Sequence, residues 1–321
     1  MLRTTLRPVP FVLAGALLLT GCESVARSVG AAPVETAAGV TEERVVEHAA
    51  GTTRISGTPQ RVVVLDSGEL DAVTSLGVVP VGAIETEGLL EELAEVHGFD
   101  ASTVANVGAI SEPNLEAIAA LRPDLILSNT VRDGDRYEQL SAIAPTVMAG
   151  DLGAVWKDNF TLDAEALNRS AEAEEILADY RARVDEVAEQ WSDPASTEIS
   201  VLRFMGGGEV RAYGRGSFIG SVLKDVGFVW PAAIDTAENR VELTTETLAQ
   251  AEADVIFWSP GFGDAGRTEV ANVTAGPLWG SLGAVRAGSA YEVSDDTWFL
   301  GLGPSGADGV LDDLEDIAAR R

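Results

Sequence analysis

Apolar and polar positions change period several times along the chain. Arg44 to Ile55 alternate, as a half-buried strand does. Arg61-Val62-Val63-Val64-Leu65 is a short apolar run that predicts a strand covered on both faces. Gly68 to Leu76 switch to helical spacing and stop at Gly77, and Val78-Val79-Pro80-Val81-Gly82 predicts the next strand. Glu112-Pro113-Asn114 starts a helix over Leu115 to Leu121, which Arg122-Pro123 ends before a strand at Leu125-Ile126-Leu127. Strands alternating with helices predict a largely parallel α/β sheet.

From Asp163 to Trp191 there is no Pro or Gly, and Ile176, Leu177, Tyr180, Val184, Val187 and Trp191 keep roughly i, i+3/i+4 spacing. That predicts one long helix with a buried face. After Asp193-Pro194 the strand and helix signals resume at Ile199–Phe204, Phe218–Val226 and Val255–Trp258, with a final helix over Gly309–Ala319. The expected architecture is two α/β lobes joined by a single long helix: an N-terminal lobe 44–160, a linker helix 161–192 and a C-terminal lobe 193–321. A repeat supports two lobes. Glu116 to Leu127 aligns without gaps on Glu246 to Phe257, with Glu, Ala, Asp and Ile at matching offsets.

The amino terminus has a different pattern. Arg3 and Arg7 precede an apolar run from Val9 to Leu19, then Thr20-Gly21-Cys22. This predicts a secretion signal, 1–21, too short for a membrane span of about 20 residues. Leu19-Thr20-Gly21-Cys22 resembles a bacterial lipobox, in which the cysteine is lipidated and begins the mature chain. Residues 22–43 lack any sustained period and predict a flexible tether. The protein is therefore expected outside the cytoplasm, anchored by lipid on Cys22 to the outer face of the cell membrane.

Composition narrows the chemistry. The 321 residues carry 51 acids against 22 Lys and Arg, a formal charge of −29, with 46% hydrophobic residues. Losing Arg3 and Arg7 leaves 20 bases against 51 acids, or −31. Such a surface excludes nucleic acid as a partner, and lipid rather than charge must hold the chain to a membrane. One cysteine excludes an internal disulfide, and two histidines, His48 and His97, argue against a zinc or manganese site. Gly301-Leu-Gly-Pro-Ser-Gly306 matches a dinucleotide-binding spacing, but too little chain follows it for the required βαβ unit. No Gly-x-Ser-x-Gly occurs, His97 precedes Gly98 in an expected surface loop, and among 51 acids a carboxylate pair carries no signal. A secreted α/β enzyme is thus the weaker alternative. The chain reads as a non-enzymatic binding protein with a ligand cleft between two lobes.

Four phrases carry a family resemblance over residues 55–321: Arg61-Val-Val-Val-Leu-Asp-Ser-Gly-Glu-Leu-Asp71, Glu112-Pro-Asn-Leu-Glu-Ala-Ile-Ala-Ala-Leu-Arg-Pro-Asp124, Leu140-Ser-Ala-Ile-Ala-Pro-Thr146 and Asp295-Asp-Thr-Trp-Phe299. The sequence resembles the iron–siderophore substrate-binding lipoproteins of ABC importers, in particular the ferric-hydroxamate (ferrioxamine-type) branch. The resemblance implies two Rossmann-like lobes bridged by one rigid helix. It implies capture of a ferric siderophore with the iron held by the chelator, no cofactor and no protein-bound metal, and delivery to an ABC permease. A monomer is expected. Cobalamin or haem on the same fold is the close alternative.

The same resemblance assigns residues. Glu116 and Glu246 match the surface glutamates, one per lobe, that dock on permease arginines. Tyr213 and Arg215 match a family segment that contributes an aromatic and an arginine to the cleft, and Trp298 aligns with a tryptophan of the hydroxamate pocket. Arg132, after the carboxyl end of the Leu125–Leu127 strand, and Arg203, at the end of a buried strand, are candidates by position, and Trp156, before the linker helix, is a further candidate. Guanidinium forks suit the anionic oxygens around a chelated ferric ion, and aromatics suit its organic shell. One position departs from the pattern. Ile110 stands where some hydroxamate binders place an arginine before Glu-Pro-Asn, and with few clustered arginines the sequence leans towards a neutral or cationic chelate rather than a polyanionic one.

Overall fold

The computed structural model describes residues 43–86, 88–261 and 263–321. The signal segment, Cys22 and all of the tether but Glu43 lie outside the described residues.

The alternating stretch folds back as a hairpin, β1 (Glu43–His48) with β2 (Gly51–Ser56), and places Val46 and Ile55 in the core. The first lobe follows as β3 (Val62–Val64), α1 (Ser67–Ser75), β4 (Gly82–Glu85), α2 (Leu89–His97), β5 (Ala105–Ala109) and β6 (Glu112–Pro113). It continues with α3 (Leu115–Ala120), β7 (Leu125–Asn129), α4 (Thr130–Asp133), α5 (Tyr137–Ser141) and β8 (Thr146–Ala149). The sheet order is β6-β5-β4-β3-β7-β8, parallel except at the β6 edge. The central strands β3 and β7 are buried at every residue, which is why they read as unbroken apolar runs. The strand expected at 78–82 starts only at Gly82. Pro80 has no N–H to give a ladder, and pairing begins beyond it, at Val63 with Gly82.

The expected linker helix is not continuous. Residues 161–192 fall in two helices, α6 (Trp156–Leu167) and α7 (Ser170–Gln190). Asn168 takes a left-handed conformation (φ +61°), its N–H closing on the carbonyls of Ala164 and Glu165, and asparagine is one of the few side-chain-bearing residues that tolerates this ending. α7 alone is about 31 Å long. Leu177, Tyr180, Val184 and Val187 are buried along it as the spacing predicts.

The second lobe comprises β9 (Ile199–Gly206), β10 (Glu209–Tyr213), α8 (Phe218–Val226), β11 (Arg240–Thr244), β12 (Val255–Pro260) and α9 (Gly263–Thr274). α10 (Pro277–Ser281), α11 (Gly283–Ala287), β13 (Ala290–Glu292) and α12 (Pro304–Ala318) complete it. Its sheet runs β11-β10-β9-β12-β13. The last three are parallel, but β9, β10 and β11 form an antiparallel meander, so this lobe is mixed. α6 packs on α1 of the first lobe, whereas α7 packs on α8 and α12 of the second.

The internal repeat has a structural cause. The Asp124 carboxylate accepts the backbone N–H groups of Gln60 and Arg61, both at 2.8 Å, just before β3. Asp254 accepts the N–H of Glu198 at 2.9 Å, just before β9. β3 pairs with β7 as β9 pairs with β12, both parallel, so each acid caps the first free donor of its neighbouring strand. The leading acids differ. Glu116 sits in the first turn of α3, where Asn114 caps the helix, and the helix dipole favours it there. Glu246 lies in a turn ahead of the short 3₁₀ segment Leu248–Ala251 and opens no α-helix.

Candidate functional site

In an open parallel α/β sheet, ligands bind beyond the carboxyl ends of the strands. In the first lobe that edge carries Asp66 after β3 and Asn129 at the end of β7. Asp66 is fully buried. It caps α1 through the Ser67 N–H at 2.7 Å, and its other oxygen accepts from Asn129 Nδ2 at 3.0 Å and Arg132 Nε at 2.8 Å. Arg132 is thus tied by one nitrogen while its side chain stays 38% exposed. Arg136 next to it is held by Asp133 (2.9 Å) and the Ser111 carbonyl (3.0 Å).

Asn129 also donates to Glu69 Oε1 at 3.2 Å, while Glu69 Oε2 is buried with no hydrogen-bond partner. Burial first, and then the Asp66 charge, push the Glu69 carboxyl up to about 8 against the opposing Asn129 bond. Burial and Glu69 hold Asp163, on α6, well above the usual carboxylate range. Near neutral pH Glu69 therefore keeps its proton, and the two carboxyls do not face each other as two charges.

The second lobe's edge is built on Arg203, near the end of β9. Its Nε and Nη2 meet Asp295 Oδ1 and Oδ2 at 2.7 and 2.5 Å, and Ser259 Oγ donates to the same carboxylate at 3.0 Å. The guanidinium carbon lies 5.1 Å from the Phe299 ring centre, and Tyr213 packs on that ring at 4.8 Å. Burial works against the Arg203 charge, but Asp295 and a side-chain bond to Tyr213 outweigh it and raise the arginine's affinity for its proton.

Of the ligand residues expected from sequence, the structure therefore brings Arg203 and Tyr213 together and places Arg132 at the matching edge of the other sheet. Arg215 stands apart in an ion pair with Asp235 at 2.5 Å. The two tryptophans are corrections. Trp298 is completely buried, its ring 4.9 Å from Phe257 and its Nε1 donating to Asp313 at 2.7 Å, so it belongs to the second lobe's core. Trp156 is buried between Tyr180 and Phe218 and donates to Ser221 Oγ at 3.1 Å. Sequence reasoning missed Asp66, Asn129, Asp295 and Phe299. Asp66, Asp295 and Phe299 fall inside the quoted family phrases, but carboxylates that tie arginines leave no local pattern.

The excluded chemistries also have structural counterparts. In the Gly-x-Gly-x-x-Gly segment, the N–H groups of Ser305 and Gly306 at the start of α12 donate to the Asp71 carboxylate, both at 3.0 Å. An acid of the first lobe occupies the place a phosphate would take. His48 bonds Thr53 Oγ1 at 2.9 Å. His97 is exposed as expected, but it ends α2 rather than lying in a loop, and its Nε2 lies 2.9 Å from Ser305 Oγ. Among the described residues no group of three or more His, Cys, Asp or Glu could hold a metal, and no helix is long and apolar enough to cross a membrane. Glu116 and Glu246 are both exposed.

Residues 62–297 match the family described as periplasmic binding protein. The chain is similar to the "Probable siderophore-binding lipoprotein YfiY" of Bacillus subtilis, 38% identical over 85% of this chain and 86% of that one. It is 33% identical to the "Fe(3+)-citrate-binding protein YfmC" of the same organism, over 89% of this chain and 88% of that one. Among solved structures, SirA of Staphylococcus aureus complexed with staphyloferrin B superposes with a TM-score of 0.75 at 32% identity, covering 86% of this chain and 98% of that one. With its two α/β lobes, the chain belongs to the periplasmic binding protein family.

Proposed function

We propose that this protein is an extracytoplasmic receptor, not an enzyme, that captures a ferric siderophore between its lobes and passes it to an ABC permease. Its relatives carry names for siderophore and ferric citrate binding. The observation that carries the reading is the pair of guanidinium centres, Arg132 with Asp66 and Arg203 with Asp295, at the ligand edges of the two sheets. Arg132, with its side chain 38% exposed, can offer N–H donors to chelate oxygens, while Arg203 with the buried Phe299 and Tyr213 rings packed beside it forms a rigid base at the other edge.

The ligand class we favour is a ferric hydroxamate. Each arginine arrives with its own carboxylate, so each centre donates hydrogen bonds while adding little net positive charge. That suits a neutral or cationic chelate better than a polyanionic one. The iron remains inside the chelator. Glu116 and Glu246 are the permease contacts in this reading, and a lipid on Cys22 is the anchor.

The test is titration of the purified protein with ferric hydroxamates, ferric catecholates, ferric citrate, cobalamin and haem, followed by tryptophan fluorescence. Sub-micromolar saturation by ferric hydroxamates is expected. Saturation by cobalamin or haem alone would reject the siderophore reading, and preference for ferric citrate would reject the hydroxamate class.

A further inference from the structure

A small cavity of about 20 Å³ lies where α1 and α6 meet Leu302 and Gly303 of the second lobe, just ahead of α12. Glu69 of α1 and Asp163 of α6, 3% and 2% exposed, both line it. Oε1 of Glu69 is taken by Asn129, whereas Oε2 is buried with no partner. Asn159 lines the cavity too, with its Nδ2 held by the Asp151 carbonyl at 2.9 Å, and brings a carboxamide oxygen. No Lys, Arg or His is among the described residues lining it. Such a volume holds about one particle the size of a water molecule.

Two carboxyls that share a buried site without a cation cannot both ionise. The charged groups facing Glu69 all have its own sign: Asp66 ahead of α1, Asp133 at the end of α4 and Asp163 on α6. Asn129 of β7 is neutral, and the nearby Arg132 is already engaged by Asp66. Below about pH 8 Glu69 solves the problem by keeping a proton. Above it, Oε2 becomes a buried anion with room beside it for one particle, and an uncompensated buried charge is costly. Magnesium and calcium are poor candidates. They require six or more oxygens, and magnesium keeps several waters, for which the cavity has no space. A bare monovalent metal ion is no larger than a water molecule and accepts fewer, less regular oxygens.

We propose that Glu69 and Asp163, helped by Asn159, bind a single monovalent metal cation of the sodium or potassium class in this cavity, in exchange for a proton. The proton leaves to solvent as the cation enters, so the net charge of the site does not change. An occupied site ties α1, α6 and the segment entering α12 together at the junction of the lobes. It is separate from the arginine centres and does not depend on which ligand the lobes hold.

The experiment measures the melting temperature of the purified protein in sodium, potassium and choline chloride at equal ionic strength, on both sides of the Glu69 value of about 8. On the alkaline side sodium or potassium should raise it by about 2 °C or more over choline. The larger of the two shifts names the occupant. On the acid side, where the proton holds the site, the excess should vanish. Sodium or potassium added to a weakly buffered solution near the Glu69 value should also release a proton that choline does not. Glu69→Gln and Asp163→Asn, each the shape of the protonated acid, should both lose the excess, and two variants keep the test open if one fails to fold. Equal melting temperatures in all three salts, an excess independent of pH, or an excess that survives in either folded variant overturns the site, leaving a cavity that holds water only.

Discussion

Arg203 and Asp295, 92 residues apart in sequence, meet in a two-point ion pair whose guanidinium is 5% exposed and whose carboxylate is 18% exposed. Removing one partner strands the other. Asp295→Asn should cost about 3–5 kcal/mol, because a buried guanidinium is left without its counter-charge. Arg203→Met combined with Asp295→Asn should recover much of that loss. Urea denaturation of the three variants measures this, and a double variant no more stable than Asp295→Asn alone would contradict the pairing.

The stability of the first lobe should fall as pH rises. Glu69 binds its proton more tightly folded (about 8) than at its ordinary value of 4.5. Between those values the folded chain holds protons that the unfolded chain has released, so this stabilisation is complete below about pH 4.5 and lost through pH 8. Glu69→Gln should flatten the decline in melting temperature between pH 5 and 8 and raise it at pH 8. An unchanged slope would show that Glu69 is not the group responsible.

Asp71 of α1 accepts two backbone N–H groups from the start of α12, across the lobes. Asp71→Ala leaves those donors uncapped and should destabilise the protein by about 1–2 kcal/mol. Amide exchange should speed up at Ser305 and Gly306 before it does in β3 or β7. Uniform exchange changes would argue against a local cap.

In the proposed function, docking on a permease is separable from capture. Glu116→Ala with Glu246→Ala should leave the affinity for ferric chelate within twofold and abolish uptake of labelled iron by cells carrying the permease. Normal uptake by the double variant would remove both residues from the docking surface.

Much of the fold was legible because buried strands leave plain signatures. The valines of β3 and the run Leu125-Ile126-Leu127 in β7 can lie only in a covered sheet, and Gly77 and Pro123 punctuate the helices between strands. The break at Asn168 was not legible. One asparagine in an Ala- and Glu-rich stretch is compatible with a helix interior, and only packing of α6 on one lobe and α7 on the other decides it. At the candidate site the arginines were visible and their carboxylates were not, since Asp66 meets Arg132 and Asp295 meets Arg203 only after folding. Trp298 shows the converse error. An aromatic beside a cleft residue looks like a ligand contact, although the next residue, Phe299, is the one stacked on Arg203.

The self-paired arginines have a consequence for how a ligand arrives. Paired charges of opposite sign cancel beyond a few ångströms, so at low ionic strength, where the Debye length reaches about 30 Å, an approaching molecule senses the net charge of the whole chain. That net charge is strongly negative, with 51 acids against 22 bases. Encounter with an anionic chelate is therefore slowed at low ionic strength and encounter with a cationic one accelerated, while contacts made after arrival are nearly indifferent to salt. Discrimination begins in solution, ahead of any touch between ligand and cleft.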